Sequence, residues 1–172
     1  MQVAEVLEVL EALFQTSRHP EITDVRRYGQ DTEPGGNSPA GVRVYYSTGS
    51  TGMLWAAVGK PAPAPASLPA EMPAPRERAR RTLAFAVQLL DFARPEEFTS
   101  WEPCAFTGVH SSPSGVKITC RDGGAVFLRA TATTGPGGIA GEPQEDPYPD
   151  YQIPEGVRSW RQEVGARSAV SR

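Results

Sequence analysis

Ser112-Pro113-Ser114-Gly115-Val116-Lys117-Ile118 restates, with small changes, an earlier stretch: Ser38-Pro39-Ala40-Gly41-Val42-Arg43-Val44. Four of the seven positions are identical, and the others exchange Ala for Ser, Arg for Lys and Val for Ile. A turn follows each copy, carrying Gly49 in one and Gly123 in the other, and then a second apolar run: Met53 to Val58, and Ala125 to Ala130. Val42, Val44 and Tyr46 alternate with Arg43 and Tyr45, and Val116, Ile118 and Cys120 alternate with Lys117 and Thr119. A period of two marks strands with one face inward. The stretch therefore reads as a duplicated β-hairpin.

The likeness reaches further upstream. Val3, Val6, Leu7, Leu10, Leu13 and Phe14 recur at helical steps and predict an amphipathic helix over 2–17. Leu83, Ala86, Val87, Leu90 and Ala93 predict another over 76–93. Each run stops before a proline, Pro20 or Pro95, which disfavours helix at the residue before it. A first strand is expected at 22–28 and its counterpart within 98–109, where Pro103 suggests a bulge or a sheet edge.

The expected fold class is therefore α+β: an internally duplicated α-β-β-β unit, with one antiparallel sheet and both helices on one face. The first repeat covers 1–58 and the second 76–132, packing as one domain. Between them, 59–75 alternates Pro and Ala, a composition that favours extended polyproline II and opposes helix or sheet ladders. Residues 133–172 read as a Gly/Pro-rich, acidic and mostly irregular tail, with a short docked helix near 156–164. Cutting the chain at 133 is expected to leave a folded core.

Composition narrows the function classes. The chain has 172 residues, 39% apolar, with 17 Gly, 17 Pro and a net charge of −3. A global acidic balance opposes nonspecific attraction to nucleic acid or anionic membrane. No apolar run reaches the ~18 residues of a membrane span. With acidic residues early in the first helix and two cysteines, the expectation is a soluble cytoplasmic protein with reduced thiols.

The chemical inventory is thin. Cys104, Cys120, His19 and His110 match no zinc spacing, and the acids of 142–155 lack the order of a calcium loop. No metal or cofactor is expected. His19, after a helix, suits the helix dipole as a cation. His110, Cys120 and Asp122 are the one grouping that admits nucleophilic or general-base chemistry. Arg76, Arg78, Arg80 and Arg81 crowd the start of the second helix, where cations oppose the dipole. They read as a solvated face, as partners of the acidic tail, or as an anion or nucleic-acid contact.

The far face of the expected sheet carries Arg43, Tyr45 and Trp55 from one repeat, and Lys117, Thr119, Phe127 and Arg129 from the other. Such a face either binds a partner or lies under the tail. The favoured expectation is a non-enzymatic protein-binding module: an adaptor, an accessory subunit or an inhibitor. A DNA- or RNA-binding protein using the arginine cluster and the outer-face Arg43, Lys117 and Arg129 comes second, and a small enzyme around His110, Cys120 and Asp122 third.

Overall fold

The computed structural model describes residues 2–29, 39–57, 63–106 and 113–170. Its elements run α1 (Gln2–Ser17), β1 (Ile22–Tyr28), β2 (Gly41–Tyr46), β3 (Thr51–Ala56), β4 (Ala64–Pro65), α2 (Arg78–Ala93), β5 (Phe98–Ala105), β6 (Ser114–Cys120), β7 (Ala125–Thr133) and α3 (Trp160–Val170). The strands form one seven-stranded antiparallel sheet in the order β1-β2-β3-β7-β6-β5-β4. The class is α+β, with helices packed against the sheet.

One core joins the layers. Val6, Leu7, Leu10 and Leu13 of α1 are fully buried, as are Ala86, Leu89 and Leu90 of α2. They meet the inward residues of the strands: Val42, Val44, Leu54, Ile118, Leu128 and Ala130. Each large side chain so buried contributes about 1.5–3 kcal/mol over its exposed state. Gly52 sits where α2 crosses the sheet, and a Cβ there would strike the Thr82 hydroxyl.

Several local features occur twice along the chain. Gly41 stands opposite Trp55, and Gly115 opposite Arg129. The register shifts between Ile22 and Asp24 in β1, and between Phe98 and Ser100 in β5. The Ser47 N–H donates to the Glu21 carbonyl at 2.9 Å, and the Arg121 N–H to that of Glu97 at 2.8 Å. Arg18 and Arg94, just past α1 and α2, have φ of 49° and 47°. At the centre, β3 faces β7, with Leu54 opposite Ala130 and Ala56 opposite Leu128.

Several expectations need correction. The Pro-Ala segment does join the sheet: Ala64 and Pro65 pair with Ala105 and Cys104. Two residues suffice for a ladder at an edge, because proline's missing N–H costs nothing on the side facing solvent. Pro103 is paired across from Val116 without a bulge. Its carbonyl points to the β4 side, where it accepts the Ala66 N–H at 3.1 Å. In the tail, a 3-10 turn at Glu155–Val157 precedes α3, and Val157 is completely buried in the core. The last helix thus begins later than expected. Val58 and His110, with the rest of the second Ser-Pro turn through Ser112, lie outside the described residues.

Candidate functional site

The arginine cluster divides. Arg78 and Arg81 lie three residues apart and so share a face of α2. Their side chains are only 5% and 3% exposed, which overturns a wholly solvated cluster. Arg78 Nη2 donates to Glu142 Oε2 at 2.6 Å, and its Nε to Ser50 Oγ at 3.1 Å. Its guanidinium lies 3.9 Å from the Tyr46 ring centroid. Arg81 Nε donates to Glu21 Oε1 at 2.8 Å, and its Nη2 to Asp146 Oδ1 at 3.1 Å. Two of these three carboxylates come from the tail. Buried charges need this pairing, since an isolated buried ion costs several kcal/mol. Arg76 and Arg80 are exposed, and Arg80 pairs with Glu77 at 2.6 Å.

His19 belongs to the same region and is not the expected cation. It is 7% exposed, 4.3 Å from the Tyr151 ring and 5.2 Å from the Phe85 ring. Its Nδ1 accepts the Glu21 N–H at 3.2 Å. Burial pushes its pKa down, and the neighbouring Arg81 and Arg78 add to this, outweighing Glu21 and Asp146. The Tyr151 hydroxyl donates to the Ser17 carbonyl at 2.6 Å, closing α1 under the tail. This network fastens the tail to the helix layer.

The tail therefore packs on the helix side. It does not make the cover of the far sheet face that the sequence allowed. That face carries pairs of rings and cations. Arg43 lies 5.2 Å from the Tyr28 ring and Arg26 5.9 Å from Tyr45. Arg129 lies 5.4 Å from Trp55 and Lys117 6.0 Å from Phe127. Such contacts are worth about 0.5–1 kcal/mol at exposed sites and hold the side chains flat along the sheet. The close rows depend on glycine: a Cβ at Gly41 would strike the Tyr28 ring, and one at Gly115 the Phe106 ring. Tyr28 and Arg26 were not singled out in the sequence, although the strand period places both on this face.

Of the third expected grouping, His110 lies outside the described residues, and Cys120 and Asp122 sit together without an activated thiol. Cys120 and Asp122 line a cavity of about 520 Å³ with Glu5, Glu96, Glu97 and Arg161. Cys120 is 3% exposed, and burial raises its thiol pKa, with Asp122 and Glu5 adding to the rise. A nucleophilic cysteine needs the opposite shift. Cys104 is also buried, which pushes its pKa up to about 11, and both thiols are free. Arg161 of α3 pairs with Glu97 in this cavity. Among the described residues no group of three or more His, Cys, Asp or Glu is arranged to hold a metal ion, and no helix is long and apolar enough to cross a membrane.

Comparison with protein-family models, with curated proteins and with solved structures finds no match to this chain.

Proposed function

We propose that the protein is a non-enzymatic protein-binding module that docks its partner on the far face of the sheet. The carrying observation is the set of ring–cation pairs on that face, centred on Trp55 opposite Arg129. Preset aromatic and arginine side chains are the residue types that dominate interface energetics. The sheet edges are poorer docking strands. At β1, the Val25 N–H bonds to Asp24 Oδ1 at 2.8 Å, and the Val25 carbonyl accepts from Gln15 at 3.5 Å. At the other edge β4 carries proline. Capped and proline-bearing edges resist strand addition.

The same reading includes an internal duplication, with the two α-β-β-β units related by an approximate twofold axis between β3 and β7. The recurring registers and the paired positive φ values at Arg18 and Arg94 support it. Of the cluster that the nucleic-acid alternative joins to the outer-face Arg43, Lys117 and Arg129, two arginines of four are exposed, Arg76 and Arg80, beside a cavity of about 510 Å³ that Glu77 and Glu142 also line. That weakens it as a polyanion site. Cytoplasmic residence belongs to the same proposal.

A photo-crosslinking amino acid in place of Tyr45, with a second variant carrying it at Ile139 on the tail, tests the docking face in native extract. Nuclease-resistant adducts to one protein from position 45 alone support the reading. Adducts from position 139 alone, or none from 45, overturn it.

A further inference from the structure

We infer that the segment docking on the far sheet face is acidic and extended, with two carboxylates about six residues apart and an apolar side chain between them. The inference rests on the docking reading above and specifies its partner. Among the described residues four cations share the face, Arg26, Arg43, Lys117 and Arg129, and Asp24 and Glu102 are its carboxylates. Arg26 is already paired to Asp24, Nε to Oδ2 at 2.6 Å. Arg43 and Lys117 have no ion pair among the described residues, although Glu102 stands directly opposite Lys117 in the register. Each instead lies against a ring, Tyr28 or Phe127. Counted over the described residues, the face is thus net positive on a chain of net charge −3, and Arg43 and Lys117 flank the Trp55–Arg129 centre.

The register fixes the spacing. Arg43 stands opposite Met53, and Met53 opposite Thr131. Lys117 stands opposite Phe127, on the same strand as Thr131. Three interstrand steps and four residues along the strand place the Cα atoms roughly 20 Å apart, given strand spacings of ~4.8 Å and rises of ~3.3 Å. An extended chain covers that span in about six residues. Met53 and Trp55 lie between the two cations and offer an apolar floor for its middle. A nucleic-acid backbone fits less well. With a charge every ~1.7 Å of duplex axis, it would run over Glu102 and Asp24 as well as over the cations.

The test uses the full chain and a fluorescent synthetic peptide of about a dozen residues, with glutamates about six apart and a central leucine. Its controls are the peptide with glutamines in their place, a single-stranded oligothymidine, and sedimentation of the protein alone. At low salt the acidic peptide is expected to bind, and the glutamine peptide at least about tenfold more weakly. R43E and K117E should each weaken it by a similar factor while keeping a single cooperative thermal transition. Equal binding of both peptides, or no acidic-peptide binding, overturns the inference. So does oligothymidine binding that the same variants abolish, which would make the face a nucleic-acid surface. Self-association lost in R43E would identify a second copy as the occupant and also overturn it. Crosslinking from position 45 that survives R43E combined with K117E would sink the acidic partner while leaving the docking face standing. Absence of any position-45 adduct would sink the docking reading itself.

Discussion

Arg78 and Glu142 meet at 2.6 Å with both side chains out of water, the first from the opening turn of α2 and the second from the tail. The pair joins segments far apart in sequence. It also explains why a cation is tolerated against the helix dipole, whose unfavourable contribution is at most about 1 kcal/mol. Removing Glu142 leaves Arg78 buried with Ser50 and with the longer 3.4 Å contact of its Nη1 to Glu21 Oε2.

Glu142→Ala is therefore expected to destabilise the fold by more than about 1 kcal/mol but by less than the roughly 3–5 kcal/mol of a buried pair broken with no second partner, because Glu21 still faces Arg78. Urea denaturation of the variant checks this. A loss under about 1 kcal/mol, the ceiling for surface pairs, would mean the contact is wet in solution.

The same pair sets an acid limit. Burial pushes the Glu142 carboxyl up, but hydrogen bonds from Thr48, Arg78 and Ser50, with the Arg78 charge, outweigh it and leave the pKa below its ordinary 4.5. A carboxylate depressed in the folded state stabilises the protein above its unfolded value, and that contribution disappears as pH falls through the folded value. His19 acts at a higher window. Its lowered pKa means the unfolded chain takes up a proton first, so stability should fall as pH drops below 6.5. Melting temperatures from pH 7.5 downward should show both losses. His19→Gln should flatten the slope just below 6.5 and keep the one below 4.5.

Deleting 134–172 is expected to cost cooperative unfolding, contrary to the reading from composition. The cut removes Val157 from the core, Tyr151 from Ser17, and both tail carboxylates from Arg78 and Arg81. Differential scanning calorimetry decides between the two. A sharp transition at an unchanged temperature would restore the independent core.

Two backbone positions give opposite signs. Gly52→Ala should destabilise by about 1–3 kcal/mol, because the new methyl meets Thr82 in a packed interior. Arg94→Gly should stabilise by up to about 1 kcal/mol, since Arg94 caps α2 in the left-handed region at φ 47°, where a Cβ is disfavoured. Its N–H bond to the Leu90 carbonyl at 2.8 Å would be retained. Chemical denaturation of both variants, side by side, is the check.

The alternation in 41–46 and 114–120, the apolar stripes of 2–17 and 76–93, and the turns at Gly49 and Gly123 were enough to give α1, α2 (two residues too long at its start), both hairpins and the α+β class from sequence. They are local signals: a period of two or of 3.6 reports which side of an element meets the core. The identity of the far-face residues followed from the same period. Three things depended on contacts between distant segments. The tail turned to the helix layer because its carboxylates could neutralise Arg78 and Arg81 there, a choice of partner that charge composition leaves open. The His19 pKa is lowered because aromatic rings from α2 and the tail close around it, and no neighbour in sequence foretells that burial. Two Pro-Ala residues became an edge strand because β5 presented an unpaired ladder beside them. Periodicity thus determined the elements and their faces, and the tertiary fold decided which faces were covered, since desolvation and ion pairing act only on groups that folding brings together.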